Sequence, residues 1–197
     1  MNRFSFTEYL TSNAGLDASL VSSLVSSCQT KQYKSGDYLL REGERSLHSF
    51  FIEKGLAKMY GIDSRGKEHI LQFAPEGWFV ADRESAYFQK PATCFIQAIE
   101  DTSVLLIDEA HILEMARANP GFLEFNNKLL HNHIRHLNNR IYQLLSATAE
   151  ERYLSFIKTY PDILLRVPQI MVASYLGITP ESLSRVRKDL AGKHAAR

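Results

Sequence analysis

The stretch PQIMVASYLGITPESLSRVRKDLA, residues 168 to 191, constrains this chain more than any other. Apolar or small residues stand at Ile170, Val172, Ala173 and Leu176, then at Gly177 and Ile178, and then at Leu183, Val186 and Leu190. That spacing predicts two short helices joined by a tight turn. Ala173 stands where a neighbouring helix must pass close. Gly177 is placed to take the positive φ that ends the first helix. Thr179 is placed to cap the second, and Pro180 at the first helical position gives up only an N–H that lacks a partner there. Leu183, Val186 and Leu190 turn inward, leaving Glu181, Ser182, Ser184, Arg185 and Lys188 to solvent. This is the helix-turn-helix pattern, in which the second helix enters the major groove of DNA with its N-terminal residues against base edges. An ordinary helical hairpin is the competing reading, and the agreement of several independent features at fixed offsets weighs against it.

Upstream, Phe6, Tyr9 and Leu10, and then Leu16, Leu20, Val21, Leu24 and Val25, recur at helical intervals, with a break over residues 13 to 17. They predict two short packing helices. From Thr30 the pattern changes to strands punctuated by Gly36, Gly43, Gly55, Gly66 and Gly77, with β-rich runs SFFIE, LAKMYGI and HILQF. A further block, TCFIQAIEDTSVLLID, carries the strands to about Asp108. Such a series reads as a sandwich or jelly roll. Residues 109 to 118 read as helix, and Asn119 followed by Pro120 marks another helix start. The helix from Pro120 to about Ala147 is long for a chain of 197 residues. Its Leu130, Ile134, Leu137, Ile141 and Leu144 alternate in steps of four and three, the spacing of a seam turned toward a partner helix. Phe122, Phe125 and Leu129 extend the apolar face. Packing against the barrel is the alternative; the length and the polar remainder, Asn126, Asn127, Arg135, Asn138, Asn139 and Arg140, favour a two-fold dimer. A further helix spans residues 150 to 160, Pro161 stops it, and ILLRV reads as a short extended link into Pro168.

Charge is unevenly placed. Residues 1 to 119 hold 12 Lys and Arg against 16 Asp and Glu, whereas residues 166 to 197 hold 6 against 2. A sensor body with a nucleic-acid-facing tail accounts for that polarity, and so does a plain solvated basic terminus. The two cysteines, Cys28 and Cys94, support neither a disulfide framework nor a metal cluster and read as buried thiols. With no apolar run of about 18 residues and no signal-peptide layout, a cytoplasmic protein is expected, without a membrane partner.

The order of these parts resembles the Crp/Fnr superfamily of bacterial transcription regulators: a cyclic-nucleotide-binding-type β-roll, a dimerisation helix and a DNA-binding helix-turn-helix. YKSGDYLLREGE, FFIEKGLAKMY, GKEHILQFAPEGWF and IQAIEDTSVLLID are similar to successive strands of that roll. The resemblance implies an α+β chain with a jelly-roll sensor domain over 1–119, a dimerisation helix over 120–148 and a helical, winged-helix-like DNA-binding domain over 149–197. Members that bind cyclic AMP carry Gly-Glu and, after an insert, Arg-Ser or Arg-Thr and Ala, the arginine meeting the cyclic phosphate with two parallel N–H bonds. The matching positions here are Ala81 and Asp82, then Ala92, Thr93 and Cys94, so the arginine is missing. Arg83 and Lys90 stand nearby without holding the motif position, and a solvent-facing salt bridge is expected for each. Control by cyclic AMP through the usual pocket is therefore not expected. Ala81, Asp82, Arg83, Ala92, Thr93 and Cys94 are the candidate walls of an altered effector pocket. No resident cofactor is expected.

In the DNA-reading helix the resemblance puts Glu181 and Arg185 at base-reading positions, where a carboxylate accepts from cytosine N4 and a guanidinium grips guanine O6 and N7. Thr179, Pro180, Ser182, Ser184 and Lys188 complete the candidate DNA-binding set. Members often carry Arg where Pro180 stands, and little chain is left for a β-wing. The partners implied are double-stranded DNA and a second copy of the chain, with RNA polymerase and an unknown small-molecule effector as further candidates. Two alternatives stay open: a cupin-like metalloenzyme, for which the roll offers only His48 and His69, and a nucleotide-sensing subunit acting on a protein partner. His131, His133 and His136 lie on the long helix and read as surface or interface residues. No enzyme is expected.

Overall fold

The computed structural model describes residues 5–14 and 17–195. It opens with helices α1 (Phe6–Ala14) and α2 (Ala18–Val25). Leu16, and the side chains at Leu20 and Leu24, lie outside the described residues. Strands β1 (Gln29–Tyr33), β2 (Tyr38–Leu40), β3 (Ser49–Lys54), β4 (Ala57–Ile62), β5 (Glu68–Ala74), β6 (Phe79–Val80), β7 (Phe95–Ala98) and β8 (Thr102–Ile107) follow, with a short helix α3 (Arg83–Ala86) between β6 and β7. They form two antiparallel sheets, ordered β1-β8-β3-β6 and β2-β7-β4-β5. The rest is helical: α4 (Glu109–Ala118), α5 (Pro120–Ser146), α6 (Ala149–Thr159), α7 (Ile163–Arg166), α8 (Gln169–Leu176) and α9 (Pro180–Ala195).

Alternation along the strands explains the layering. Phe50 and Ile52 of β3, with Val104 and Leu106 of β8, point between the sheets, where they meet Leu40, Ala57, Ile96 and Ala98. Their neighbours Phe51, Leu105 and Ile107 point the other way, into a second core with Phe6, Leu10, Met115 and Phe122 from the flanking helices. Both faces of this sheet are covered, so β3 and β8 read as unbroken apolar runs rather than alternating ones. The outer face of the second sheet supplies Leu56, Tyr60, Ile70 and Phe73 to a third core with Tyr153, Phe156, Tyr160, Ile163, Tyr175 and Leu183 of the C-terminal helices. The C-terminal unit is thus seated directly on the roll.

The β3–β4 turn lies close against Asp101 and Thr102 at the β7–β8 turn. Gly55 has φ +92°, and a Cβ there would stand 2.6 Å from the Asp101 carbonyl oxygen. Only glycine meets both demands. Asn119 caps α5, its Oδ1 accepting from the Gly121 N–H at 2.9 Å, with Pro120 at the first turn. Thr148 and Glu151 form a reciprocal capping box at the start of α6.

Three predictions change. ILLRV is a helical turn, α7, rather than an extended link: Ile163 is buried beneath Tyr160, and the turn carries Arg166 to Glu76 and Glu100 of the roll. Long-range partners, not local pattern, decide that segment. Ile170 is 64% exposed, so it does not belong to the buried face of α8. Phe122 does not extend the seam of α5 but is buried against the roll and α1.

Candidate nucleic-acid interface

The helix-turn-helix is built as its residues dictate. Gly177 takes φ +66° at the end of α8, and the N–H of Ile178 donates to the Ala173 carbonyl at 3.0 Å. Thr179 Oγ1 accepts from the Ser182 N–H at 3.2 Å and donates to the Ser182 hydroxyl. Leu183 is fully buried, which contributes about 2 kcal/mol, and Val186 and Leu190 pack beside it. At about 100° per residue, Ser184, Lys188, Glu181 and Arg185 fall in one sector opposite that stripe, and all four are exposed. The free amide of the first helical turn and the Thr179 hydroxyl hold the Glu181 carboxyl below the usual carboxylate range, so it is an acceptor. Ser182 sits on the flank of the sector, half-buried, with its hydroxyl engaged in the cap. Pro180 fills the first helical position. Among the described residues α9 runs on to Ala195 and no strand follows it.

Beneath this unit polar contacts fix the helices to the roll. Arg166 donates to Glu100 at 2.9 and 2.8 Å and to Glu76 at 2.9 and 3.0 Å. Bonding to Glu100 raises the arginine above its ordinary range against an opposing burial effect. Burial pushes Glu76 up, but the Arg166 bonds and backbone N–H groups outweigh it and leave the carboxyl below the usual range. Arg140, expected on the polar side of α5, instead donates through Nη2 to the carbonyls of Ile70 and Tyr175 and lies 3.6 Å over the Tyr175 ring. Ser174 of α8 accepts from the Ile70 N–H and donates to the Glu68 carbonyl.

In the roll, the candidate effector residues come together around Asp82. This carboxylate is 2% exposed. It accepts from the Ser85 N–H at 3.0 Å, capping α3, and from the Thr93 N–H at 2.9 Å, the Thr93 hydroxyl at 3.0 Å and the Cys94 N–H at 3.1 Å. A pair of adjacent backbone amides plus a hydroxyl is an anion cradle, and here the chain's own carboxylate fills it. Ala92 is buried and tied to the turn at Gly43 and Glu44 through its carbonyl and N–H. Lys90 pairs with Glu84 at 3.3 Å on the surface. Arg83 makes no such salt bridge among the described residues: it faces a cavity of about 850 Å³ walled by Trp78, Phe79, Tyr87, Phe88, Leu129 and His133. Desolvation pulls its guanidinium below its ordinary pKa, and burial, then Arg83, pull His133 down as well.

Leu130, Ile134, Leu137, Ile141 and Leu144 form an exposed stripe along α5, each 38 to 56% accessible. Leu144 also touches the turn of the helix-turn-helix, since a Cβ at Gly177 would lie 3.3 Å from its Cδ2. His69 bonds Asp63 at 3.0 Å, and no group of three His, Cys, Asp or Glu able to hold a metal occurs among the described residues. Both cysteines are buried, and burial pushes the Cys28 thiol up to about 11.

Residues 30–119 match the model of the cyclic nucleotide-binding domain family. The fumarate and nitrate reduction regulatory protein of Yersinia pestis is 25% identical over 167 residues, covering 79% of this chain and 66% of that protein. The cAMP-activated global transcriptional regulator CRP of Pasteurella multocida is 22% identical over 182 residues, covering 86% of each. The solved structure of FixK2 from Bradyrhizobium japonicum superposes with a TM-score of 0.71 at 21% identity, over 85% of this chain and 86% of that one. Over residues 30–119 the chain is thus similar to the cyclic nucleotide-binding domain, and over most of its length it is similar to regulators of the Crp/Fnr type. The matched region spans 60 to 66% of the length of the first of these relatives.

Within this chain, local sequence had no means of showing α3, since four residues carry no periodicity; the Asp82 cap at its start is the one trace. Nor does any spacing announce Arg140 and Ser174 as contacts to β5, because their partners lie 70 and 104 residues away.

Proposed function

We propose that this chain is a homodimeric, sequence-specific DNA-binding transcription regulator whose roll is not read by cyclic AMP through the usual phosphate pocket. The observation that carries the reading is the outward sector of α9: Glu181, Ser184, Arg185 and Lys188 stay exposed while the buried Leu183 anchors the helix, which packs on α6 and α8. Thr179, Pro180 and Ser182 set the helix start from which those groups reach bases and phosphates. In this reading 1–119 senses, 120–148 couples the two copies and 149–197 reads DNA, in the cytoplasm; no described helix is long and apolar enough to cross a membrane.

The second copy is supported by the identity of the seam. With Ile134 and Ile141 at a and Leu130, Leu137 and Leu144 at d, a β-branched residue alternates with leucine, the combination that favours two parallel strands. Asn127 then falls at a as well, the polar insertion that fixes register. Two copies so joined present two α9 helices to successive major grooves, about 34 Å apart. RNA polymerase is a further partner of this reading. An effector, if the chain has one, enters beside Ala81 and Arg83 in the large cavity rather than the cradle at Asp82, Ala92, Thr93 and Cys94. It acts by preferring one helix arrangement over another.

Selection of bound sequences from random duplex DNA, with and without small metabolites, tests this function. A near-palindromic consensus supports it, and recovery of unenriched sequence overturns it.

A further inference from the structure

A second, smaller cavity of about 130 Å³ lies where the C-terminal half of α5 meets α6 and α8. Its walls include Arg140, Arg152, His136, Asn139, Ser155 and Thr159, backed by Phe156 and Tyr175, and no Asp or Glu lines it. Both arginines are half-buried, and neither has a carboxylate within salt-bridge distance among the described residues. Arg140 spends Nη2 on two backbone carbonyls. Arg152 reaches the Leu144 carbonyl only at 3.4 Å, and its Nε is buried with no acceptor.

Such a crevice is electrostatically incomplete. Guanidinium groups partly withdrawn from bulk water are commonly paired, and a buried N–H without an acceptor, such as the Arg152 Nε, costs about 1 to 3 kcal/mol. Here two like charges share one crevice with no carboxylate opposite. The neighbouring polar groups are largely donors or can be: the Ser155 hydroxyl accepts from Gln143 and keeps its own proton to give. Burial, and then Arg140, hold His136 below the ordinary histidine range, so the ring is neutral at pH 7 and offers one donor and one acceptor. What completes the crevice is small, negative and rich in acceptors pointing in several directions, with a proton to give to a neutral ring nitrogen.

We propose that this crevice binds a small free tetrahedral oxyanion of the phosphate class, as inorganic phosphate or the phosphoryl group of a small monoester. Arg152 supplies a fork of parallel N–H donors, the geometry that matches such an anion. Bound there, the anion touches α5, α6 and α8 together, so its occupancy favours this arrangement of the three helices over any other.

The test uses the full chain, titrated calorimetrically with inorganic phosphate and with glycerol phosphate, against chloride at matched ionic strength. Saturable binding to either is expected, with a melting temperature that rises with the logarithm of its concentration. Arg152→Gln is expected to weaken binding at least tenfold, Arg152→Lys less, because it keeps the charge and loses the fork, and Lys193→Gln, an exposed cation on α9, not at all. Asn139→Leu, checked for folding by circular dichroism, serves as the second variant if Arg152→Gln unfolds. Equal stabilisation of wild type and Arg152→Gln, or a response that never saturates, overturns the proposal as a general salt effect. Loss of duplex DNA affinity in Arg152→Gln with no phosphate binding in the wild type assigns the arginine to the DNA backbone and overturns it too.

Discussion

Asp82 accepts from Thr93 twice, through the backbone N–H at 2.9 Å and through the hydroxyl at 3.0 Å. With the Ser85 and Cys94 amides, four donors converge on one buried carboxylate. Asp82→Ala strands them in a water-poor site and is expected to destabilise the roll by about 2 to 4 kcal/mol. Asp82→Asn, which keeps one acceptor oxygen, costs less. Urea denaturation of the two variants checks the order, and an alanine variant as stable as wild type contradicts the assigned role.

The same geometry bears on cyclic AMP. By the resemblance, Ala92 stands where members that bind cyclic AMP carry the phosphate-pairing arginine, and the Thr93 and Cys94 amides that follow it serve Asp82. Loss of a bidentate charge contact costs on the order of 2 to 5 kcal/mol. Calorimetry with micromolar cyclic AMP is expected to give no saturable heat; a clear isotherm refutes this.

Ile134 is 52% exposed in the single chain, and the seam reading buries it against its own copy. Ile134→Asp places two carboxylates face to face across a two-fold axis. The predicted result in sedimentation is a folded monomer at concentrations where the wild type is a dimer. DNA affinity falls with it, because two half-sites are no longer read together.

Arg185→Ala is expected to cost about 1 to 3 kcal/mol on the selected site and to relax preference at one base pair. The measurement is a binding profile over a randomised library. Lys188→Ala, by contrast, lowers affinity for all sequences and flattens the salt dependence.

Arg166 joins α7 to the turns carrying Glu76 and Glu100, at 13% side-chain exposure. Removing it leaves two half-buried carboxylates uncompensated, and Arg166→Met is expected to cost about 3 kcal/mol. The folded pKa of Glu76 is depressed. Its contribution is therefore present above the unfolded value of about 4.3 and is lost as pH falls below that through the folded value. Wild-type stability measured from pH 7 to pH 3 should show this acid-linked loss, and Arg166→Met, which keeps the Gly55 N–H bond to Glu76 but not the guanidinium, should show less of it.

Much of the site was readable without coordinates, for local reasons. Gly177, Thr179 and Pro180 set turn and cap within five residues, and Leu183, Val186 and Leu190 fix the inward face by helical period. The strands of the roll were readable because glycine turns separate runs such as SFFIE, although the unbroken apolar character of β3 hid the fact that both its faces are covered. The segment at ILLRV misled because its conformation answers to Glu76 and Glu100, which lie 90 and 66 residues from Arg166 and leave no mark in the local pattern.

The amino-acid order by itself determined where most helices start and stop and which side of α9 is apolar; these depend on contacts within a turn or two. Only the tertiary structure decided that Asp82 occupies the cradle, that Arg83 faces a cavity instead of a carboxylate, and that Arg140 and Arg152 share a crevice lacking counter-charge. Such facts depend on which distant groups are brought within about 3 Å of one another, where a donor's partner is chosen by chain folding and not by neighbouring residues.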